Sequence, residues 1–318
     1  MRILITGSSG QIGTNLGLYL QNQGHQVFGL DKRPNIWTDQ IETISQDLSI
    51  PYKDFAGGIG DYKYPPDLDV VVHLAAHAKV HELVKHPDRA LENIIMIYNV
   101  LEFCRQKGLP IIFGSSRETY GNLKHDKETT SEEMADFTLA ASPYSASKIS
   151  GEAMIYAYAH CYDLLYLVFR FSNVYGRFDN DIERMERVIP LFIHKISHHE
   201  PITIYGRDKM LDFTYIDDCI DGIARGIDSL VRGEVVNQTI NLAYGQGNSL
   251  VQMAEYIGEA LGIEPKMTIE PSLRGEVTYY IADISKAKTL LGYDPTTPLR
   301  EGIRKAVAWS KDWGKRDR

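Results

Sequence analysis

The chain reads as an α/β protein built on a doubly wound parallel sheet, with a smaller C-terminal α/β substrate-binding lobe. Three observations predict this. Apolar runs of strand length alternate with segments of helical spacing through the first half. The first run, Ile3 to Thr6, ends in a glycine loop, Gly7-Ser-Ser-Gly10-Gln-Ile-Gly13. The run Asp69-Val-Val-Val-His-Leu74 is nearly continuous in apolar residues, as expected of a parallel strand covered on both faces.

The elements follow in order. Gln11 to Gln23 has helical spacing, Gln26 to Leu30 is a second strand ending at Asp31, and Glu42 to Gln46 a third ending at Asp47. After the strand at Asp69 to Leu74, Asp88 to Lys107 reads as a long helix stopped by Gly108 and Pro110. Pro110 to Gly114 is a buried strand followed by Ser115-Ser116. Ser142 to Tyr162 is a helix with Pro143 in its first turn, and Leu164 to Phe169 the next strand. Ligands of such sheets bind at the carboxyl ends of the strands.

The second half is less regular. Asp181 to Ser197 is a helix candidate with a break at Pro190, then Ile202 to Tyr205 a strand and Asp217 to Val231 a helix. Thr239 to Leu242 is a strand, Ser249 to Leu261 a helix and Lys266 to Ile269 a strand; helices at Ser285 to Leu291 and Leu299 to Trp313 close the chain. This pattern predicts a dinucleotide-binding domain at 1–175 and a mainly substrate-binding lobe at 176–318. The stretch near 238–243 is expected to return to the first sheet.

Composition narrows the function. With 318 residues, 43% hydrophobic and 24% charged, the chain is an ordinary globular protein with room for a large core. A net charge of −8 argues against nucleic acid or an anionic membrane as the main partner. Cys104, Cys161 and Cys219 show no metal or disulfide spacing and read as reduced core thiols. A strand beginning at residue 2 predicts no leader, and no run of about eighteen apolar residues predicts a membrane span. A cytoplasmic enzyme is the expectation. His77 and His81 stand four apart, but nothing nearby completes a metal site.

The glycine loop sits where backbone N–H groups at a helix N-terminus can hold a pyrophosphate. Asp31, eighteen residues after Gly13, can accept hydrogen bonds from the adenosine ribose and would repel a 2′-phosphate, which favours NAD over NADP. Lys32-Arg33 works against that preference, and a plain turn is the other reading of Asp31. Asp47-Leu48, after the third strand, is placed to reach the adenine.

Tyr144 and Lys148 are four apart on a helix and share one face. An ammonium beside a phenol is expected to lower its pKa, making Tyr144 a proton acceptor near neutral pH. Ser116 lies just beyond a strand of the same sheet, where its hydroxyl can reach the oxygen that Tyr144 protonates or deprotonates. Together these predict hydride transfer coupled to proton transfer on a hydroxyl.

The chain resembles the extended short-chain dehydrogenase/reductase family, in its NAD-dependent nucleotide-sugar epimerase/dehydratase branch. The resemblance is carried by Thr6-Gly-Ser-Ser-Gly-Gln-Ile-Gly13, His73-Leu-Ala-Ala76, Ser115-Ser-Arg-Glu-Thr-Tyr-Gly121 and Ser142-Pro-Tyr-Ser-Ala-Ser-Lys148. Arg170-Phe-Ser-Asn-Val-Tyr-Gly176, Asp212-Phe-Thr-Tyr-Ile-Asp-Asp218, Arg274-Gly-Glu-Val277 and Ala282-Asp-Ile-Ser-Lys286 extend it over nearly the whole chain. It implies a Rossmann-type fold, a tightly held NAD and oxidation of a sugar at C4 to a ketone, with Tyr144 as base and Ser116 assisting. It assigns to the cofactor Gly7, Gly10, Gln11, Ile12, Gly13, Leu74, Ala75, Ala76 and Asn93, besides Tyr144 and Lys148. It places Asn173 and Arg274 near a nucleotide diphosphate. It also implies a homodimer in which the helices at 88–107 and 142–162 pair.

The outcome after the ketone depends on Arg117-Glu118. Glu118 matches the position of a C5 base in dehydratases and decarboxylases of this branch. Arg117 cannot be an acid at C6, because a guanidinium keeps its proton. It can clamp a carboxylate, which suits a uronic acid, or simply pair with Glu118. The leading reading is a 4-epimerase of a UDP-hexose or UDP-uronic acid; the alternative is a dehydratase or decarboxylase using Glu118. An NAD(P)H-dependent ketosugar reductase fits Asp31 less well, and a non-enzymatic role does not fit intact Ser116, Tyr144 and Lys148. Leu211 stands where relatives carry a phosphate-contacting arginine, with Arg207 or Lys209 as candidate replacements. Met96-Ile97 and Ala78-Lys79 depart from the pattern as well.

Overall fold

The computed structural model describes residues 1–50, 67–123, 129–179, 187–273 and 277–313. The chain begins with β1 (Arg2–Thr6), α1 (Gln11–Asn22), β2 (Gln26–Asp31), β3 (Glu42–Ser45) and β4 (Val70–His73). It continues through α2 (Val80–Lys85), α3 (Asp88–Lys107), β5 (Ile111–Ser116), α4 (Pro143–Tyr162), β6 (Tyr166–Phe171) and β7 (Asn173–Tyr175). Then come α5 (Val188–Ser197), β8 (Ile202–Tyr205), β9 (Met210–Tyr215), α6 (Ile216–Val231), β10 (Gln238–Leu242) and β11 (Gly247–Ser249). The last elements are α7 (Leu250–Leu261), β12 (Met267–Glu270), β13 (Tyr279–Tyr280), α8 (Ser285–Leu291) and α9 (Leu299–Trp313).

Among the described residues, seven strands form a parallel sheet in the order β10-β6-β5-β4-β1-β2-β3. The chain steps outward from β1 through β2 and β3, then returns to build β4, β5 and β6 on the other side. The crevice between the carboxyl ends of β1 and β4 is therefore the switch point where such sheets bind ligands. Period-two alternation sends Ile3 and Ile5 to one face, against Leu16 and Leu20 of α1 and Ile223 and Ile227 of α6. Leu4 goes to the other, against Met96, Ile97 and Val100 of α3 and Ile155 of α4.

The apolar cluster on the first face runs on without interruption into the rest of the chain, through Phe213, Met253, Ile257 and Ile303. There β11, β9 and β13 form a small sheet with β7 beside β9, and β8 pairs with β12. Four of these short strands (β7, β9, β11 and β13) and the single-turn-scale α2 have no clear periodic signal.

Two expectations change. Pro190 does not break a helix: α5 begins at Val188, so Pro190 lies in its first turn, where its missing N–H has no helical partner to lose. Residues 181–186 of the expected helix lie outside the described residues. Cys104 and Cys219 are buried thiols, but Cys161 is exposed on α4 and is no core residue.

Candidate active site

The glycine loop is built by contacts that exclude a side chain. Gly7 has φ of 75°, and a Cβ there would lie 2.7 Å from the backbone nitrogen of Ala75. A Cβ on Gly13 would lie 2.2 Å from the carbonyl oxygen of Gly7, so α1 docks directly on the loop. Gly10 caps α1 and puts no side chain on the helix end, leaving first-turn N–H groups for an anion. Gln11 is buried with its Nε2 unpartnered. These features fit a dinucleotide pyrophosphate.

Asp31 ends β2 and is buried. Its carboxylate accepts from the N–H of Ser9 at 3.1 Å and of Arg33 at 3.0 Å, tying the loop to β2. Lys32 lies 3.6 Å from Asp47, and Arg33 lies 3.8 Å from Asp31, so both basic side chains sit beside carboxylates. Asp47 also accepts from Ser49 N–H at 2.9 Å, while Leu48 is a core residue whose carbonyl accepts from Asn99 at 2.8 Å. On the opposite wall, Leu74 N–H donates to Thr6 O at 3.1 Å, and Leu74, Ala75 and Ala76 are half-buried. Asn93 accepts from His77 N–H at 2.8 Å and donates to Ser147 Oγ at 3.1 Å, locking that wall to α4.

Tyr144, Ser116 and Lys148 meet where α4 crosses the end of β5. Ser142 starts α4 with a reciprocal capping box to Ser145, and Pro143 supplies the first turn. Tyr144 and Lys148 are thus presented on one face, both buried. Ser116, the last residue of β5, neighbours the Tyr144 hydroxyl and favours its ionised form. Lys148 Nζ donates to the carbonyl of Gly114 at 2.7 Å and lies 5.8 Å from the Tyr144 ring centroid.

The expected lowering of the phenol pKa is not found. Burial pushes Tyr144 up to about 12, opposed by Ser116. Burial also draws Lys148 down to about 8, opposed by the carboxylate of Glu152 one turn along α4. The ammonium is spent on Gly114 rather than on the phenol.

Beyond Ser116 the chain makes a 3₁₀ turn, Arg117–Tyr120, with Ser116 Oγ accepting from Glu118 N–H at 3.2 Å. Arg117 Nη2 lies 2.9 Å from Glu118 Oε1, and both side chains are largely buried. Of the two readings of Arg117, the structure contains the internal pair. Arg117 Nη1 and Glu118 Oε2 have no partner. The guanidinium also lies 6.0 Å from the Tyr280 ring centroid.

A cleft of about 190 Å³ is lined by Asn173, Tyr175, Asp179, Arg187, Ile189 and Phe213 among others. Asn173 Nδ2 donates to Asp212 O at 2.8 Å. Leu211 is buried in the core on β9. Arg207 is exposed and Lys209 buried; Arg274 lies outside the described residues.

Two features had no sequence signal. Arg187 donates to Gln11 Oε1 at 2.8 Å and Val174 O at 3.0 Å and lies 2.6 Å from Asp179, joining the glycine-loop helix to the cleft. Glu152 accepts from Ser115 Oγ at 2.5 Å and pairs with Arg170 at 2.7 Å, bracing the end of β5 from beneath.

Comparison with known proteins decides the family. The model of the NAD dependent epimerase/dehydratase family matches residues 3–243. The chain belongs to the NAD-dependent epimerase/dehydratase family. Among curated relatives, UDP-glucuronate 4-epimerase 1 of Arabidopsis thaliana is 30% identical, over 96% of this chain and 76% of the relative. The dTDP-glucose 4,6-dehydratase of Escherichia coli is 30% identical, over 97% and 92%. Among solved structures, UDP-glucose 4-epimerase of Thermotoga maritima superposes with a TM-score of 0.86 at 26% identity, covering 98% of this chain and 99% of that one. The UDP-glucuronic acid 4-epimerase of Bacillus cereus, in complex with UDP-glucuronic acid and NAD, gives 0.85 at 27%, covering 98% and 100%. As in other members of this epimerase/dehydratase family, the cofactor is NAD. Among the described residues no helix is long and apolar enough to cross a membrane.

Proposed function

We propose that the protein is an NAD-dependent nucleotide-sugar 4-epimerase acting on a UDP-hexose or UDP-uronic acid through a transient C4 ketone. The observation that carries this is the buried Ser116–Tyr144–Lys148 cluster at the end of β5, two strands from the glycine loop. The 4-epimerases among its relatives and structural neighbours support the reaction type. The dehydratase reading is less favoured, because Arg117 stands beside Glu118 and no acidic pair is present there.

Bound NAD supplies the hydride chemistry at C4. Gly7, Gly10, Gln11, Ile12 and Gly13 would hold its pyrophosphate on the N-terminus of α1. Asp31 would accept from the adenosine ribose, with Asp47 and Leu48 toward the adenine. The pairing of Lys32 and Arg33 with carboxylates supports NAD over NADP. Leu74, Ala75 and Ala76 would form the other wall, with Asn93 holding it in place.

Tyr144 would take the proton of the C4 hydroxyl and return it after the sugar has turned over. Ser116 would hold the C4 oxygen through both half-reactions. Lys148 would hold the nicotinamide ribose and add positive charge once its Gly114 bond is shared. That added charge is needed, since burial alone keeps the phenol protonated. Asn173 lines the cleft where the diphosphate would lie, with Arg274 as its expected partner. We further propose a cytoplasmic homodimer formed through α3 and α4, testable by light scattering.

The test is interconversion of UDP-glucose with UDP-galactose, and of UDP-glucuronate with UDP-galacturonate, by wild type and Tyr144→Phe. The variant should keep its NAD and lose at least about 100-fold in kcat, within the range of a positioned acid–base group. Near wild-type turnover by Tyr144→Phe would sink the proposed mechanism.

A further inference from the structure

We infer that Arg117 is a positioning residue that holds Glu118 away from the sugar, so that the hydrogen on C5 survives the ketone stage. This rests on the 4-epimerase reading above. A ketone at C4 acidifies the hydrogen on the neighbouring carbon. A carboxylate near that carbon would remove it, with the C–H electron pair becoming the C4–C5 double bond and the carbonyl pair moving to oxygen. Reprotonation from solvent would then scramble C5 or open the way to other products. The epimerase therefore needs its nearest carboxylate disarmed.

Glu118 is that carboxylate. It follows Ser116 by two residues, and its N–H is tied to Ser116 Oγ at 3.2 Å, which fixes it beside the Tyr144 hydroxyl. Its Oε1 is engaged by Arg117 Nη2 at 2.9 Å, and its side chain is 6% exposed. Its other oxygen, Oε2, has no hydrogen-bond partner but is itself buried, so to reach a carbon of the sugar the carboxylate would have to swing out and leave the Arg117 guanidinium. Breaking a buried pair is costly, because it leaves an uncompensated charge in a poorly solvated place. Arg117 is itself pinned, largely buried beside the Tyr280 ring. It cannot release the carboxylate by losing its proton, since guanidinium stays charged.

The pair also protects the phenol. Glu118 pushes the Tyr144 pKa up and Arg117 pushes it down, so the two charges of the pair oppose each other at the phenol, whose burial remains the larger effect. An unpaired Glu118 would make Tyr144 harder to ionise while supplying a rival base. One arginine beside one glutamate thus separates proton transfer on oxygen from proton transfer on carbon.

The experiment follows solvent deuterium in the product. NAD-loaded enzyme is incubated with UDP-glucose and with UDP-glucuronate in D₂O, and C5 is read by NMR and mass spectrometry. Wild type and Arg117→Lys should give the C4-inverted sugar with hydrogen at C5. Arg117→Gln should place at least about tenfold more deuterium at C5, a small part of the roughly 100-fold or more that a positioned base supplies. The double variant Arg117→Gln/Glu118→Gln should return to the wild-type pattern. Arg117→Met, which keeps the aliphatic stem, serves if Arg117→Gln does not fold. Deuterium at C5 in wild type would overturn the proposal, whatever the variants do. So would turnover by Arg117→Gln without label, or label persisting in the double variant. A folded, NAD-loaded wild type that inverts no UDP-sugar contradicts the 4-epimerase reading itself, and the inference with it.

Discussion

Burial at Tyr144 raises the phenol, and the nearby ammonium of Lys148 is turned to Gly114 instead of relieving it. The sequence places both residues on one helical face, and that much was readable from the spacing of four. The direction of the pKa was not, because it depends on how deeply α4 sinks against β5. Asp31 is the opposite case. Its position at the end of β2 was legible, and the structure adds that it also ties Ser9 and Arg33 into the loop. Asp31→Asn should therefore weaken NAD binding by about 10- to 100-fold, the size of one or two hydrogen bonds to a charged group. It should also narrow the preference over NADP. Titration with both cofactors checks this; unchanged discrimination would remove Asp31 from the ribose site. Arg187 could not have been found from sequence, since its partners Gln11 and Val174 are brought together only by the fold.

The glycine loop, α1 and β4 act as one unit at the scale of elements. Gly7 approaches Ala75, and Gly13 approaches Gly7, with backbone contacts that no Cβ permits. Gly13→Ala must push α1 off the loop. We expect a loss of at least about 2 kcal/mol in urea unfolding, typical of overpacking, with loss of bound NAD. Retention of both stability and cofactor would show that the loop is not the rigid cradle described above. The long strands and helices were legible because each carries a sustained period. β9 was not: Met210–Tyr215 contains the buried Asp212, whose carboxylate accepts from Tyr244, Gly245 and Ala282. A buried acid that knits three segments breaks the apolar pattern by which strands are recognised. Leu211 fills the core from the same strand, so the missing arginine has no substitute on β9 itself.

The whole molecule carries a pH dependence that its surface does not reveal. His73, at the end of β4, is fully buried beside Thr6 at 2.7 Å. Burial first, and then the Lys148 charge, lower its pKa to about 3. The unfolded histidine titrates near 6.5, so acid protonates the unfolded chain first and stability falls as pH drops from about 6.5 toward 3. Between pH 7.5 and 5 this one group should remove about 2 kcal/mol. Urea unfolding of wild type and His73→Gln across that range tests it; equal slopes would exclude His73 as the source. The uninterrupted core joins the β9 sheet, beside which Asn173 and Arg187 line a cleft, to the parallel sheet that carries Ser116 at the end of β5. The chemistry proposed there is a hydrogen removed from C4 and returned to the same carbon. The most direct measurement uses UDP-glucose carrying deuterium at C4. The account predicts UDP-galactose with the deuterium still on C4. Inverted product that has exchanged that label with solvent, or loss of the label without inversion, would contradict it.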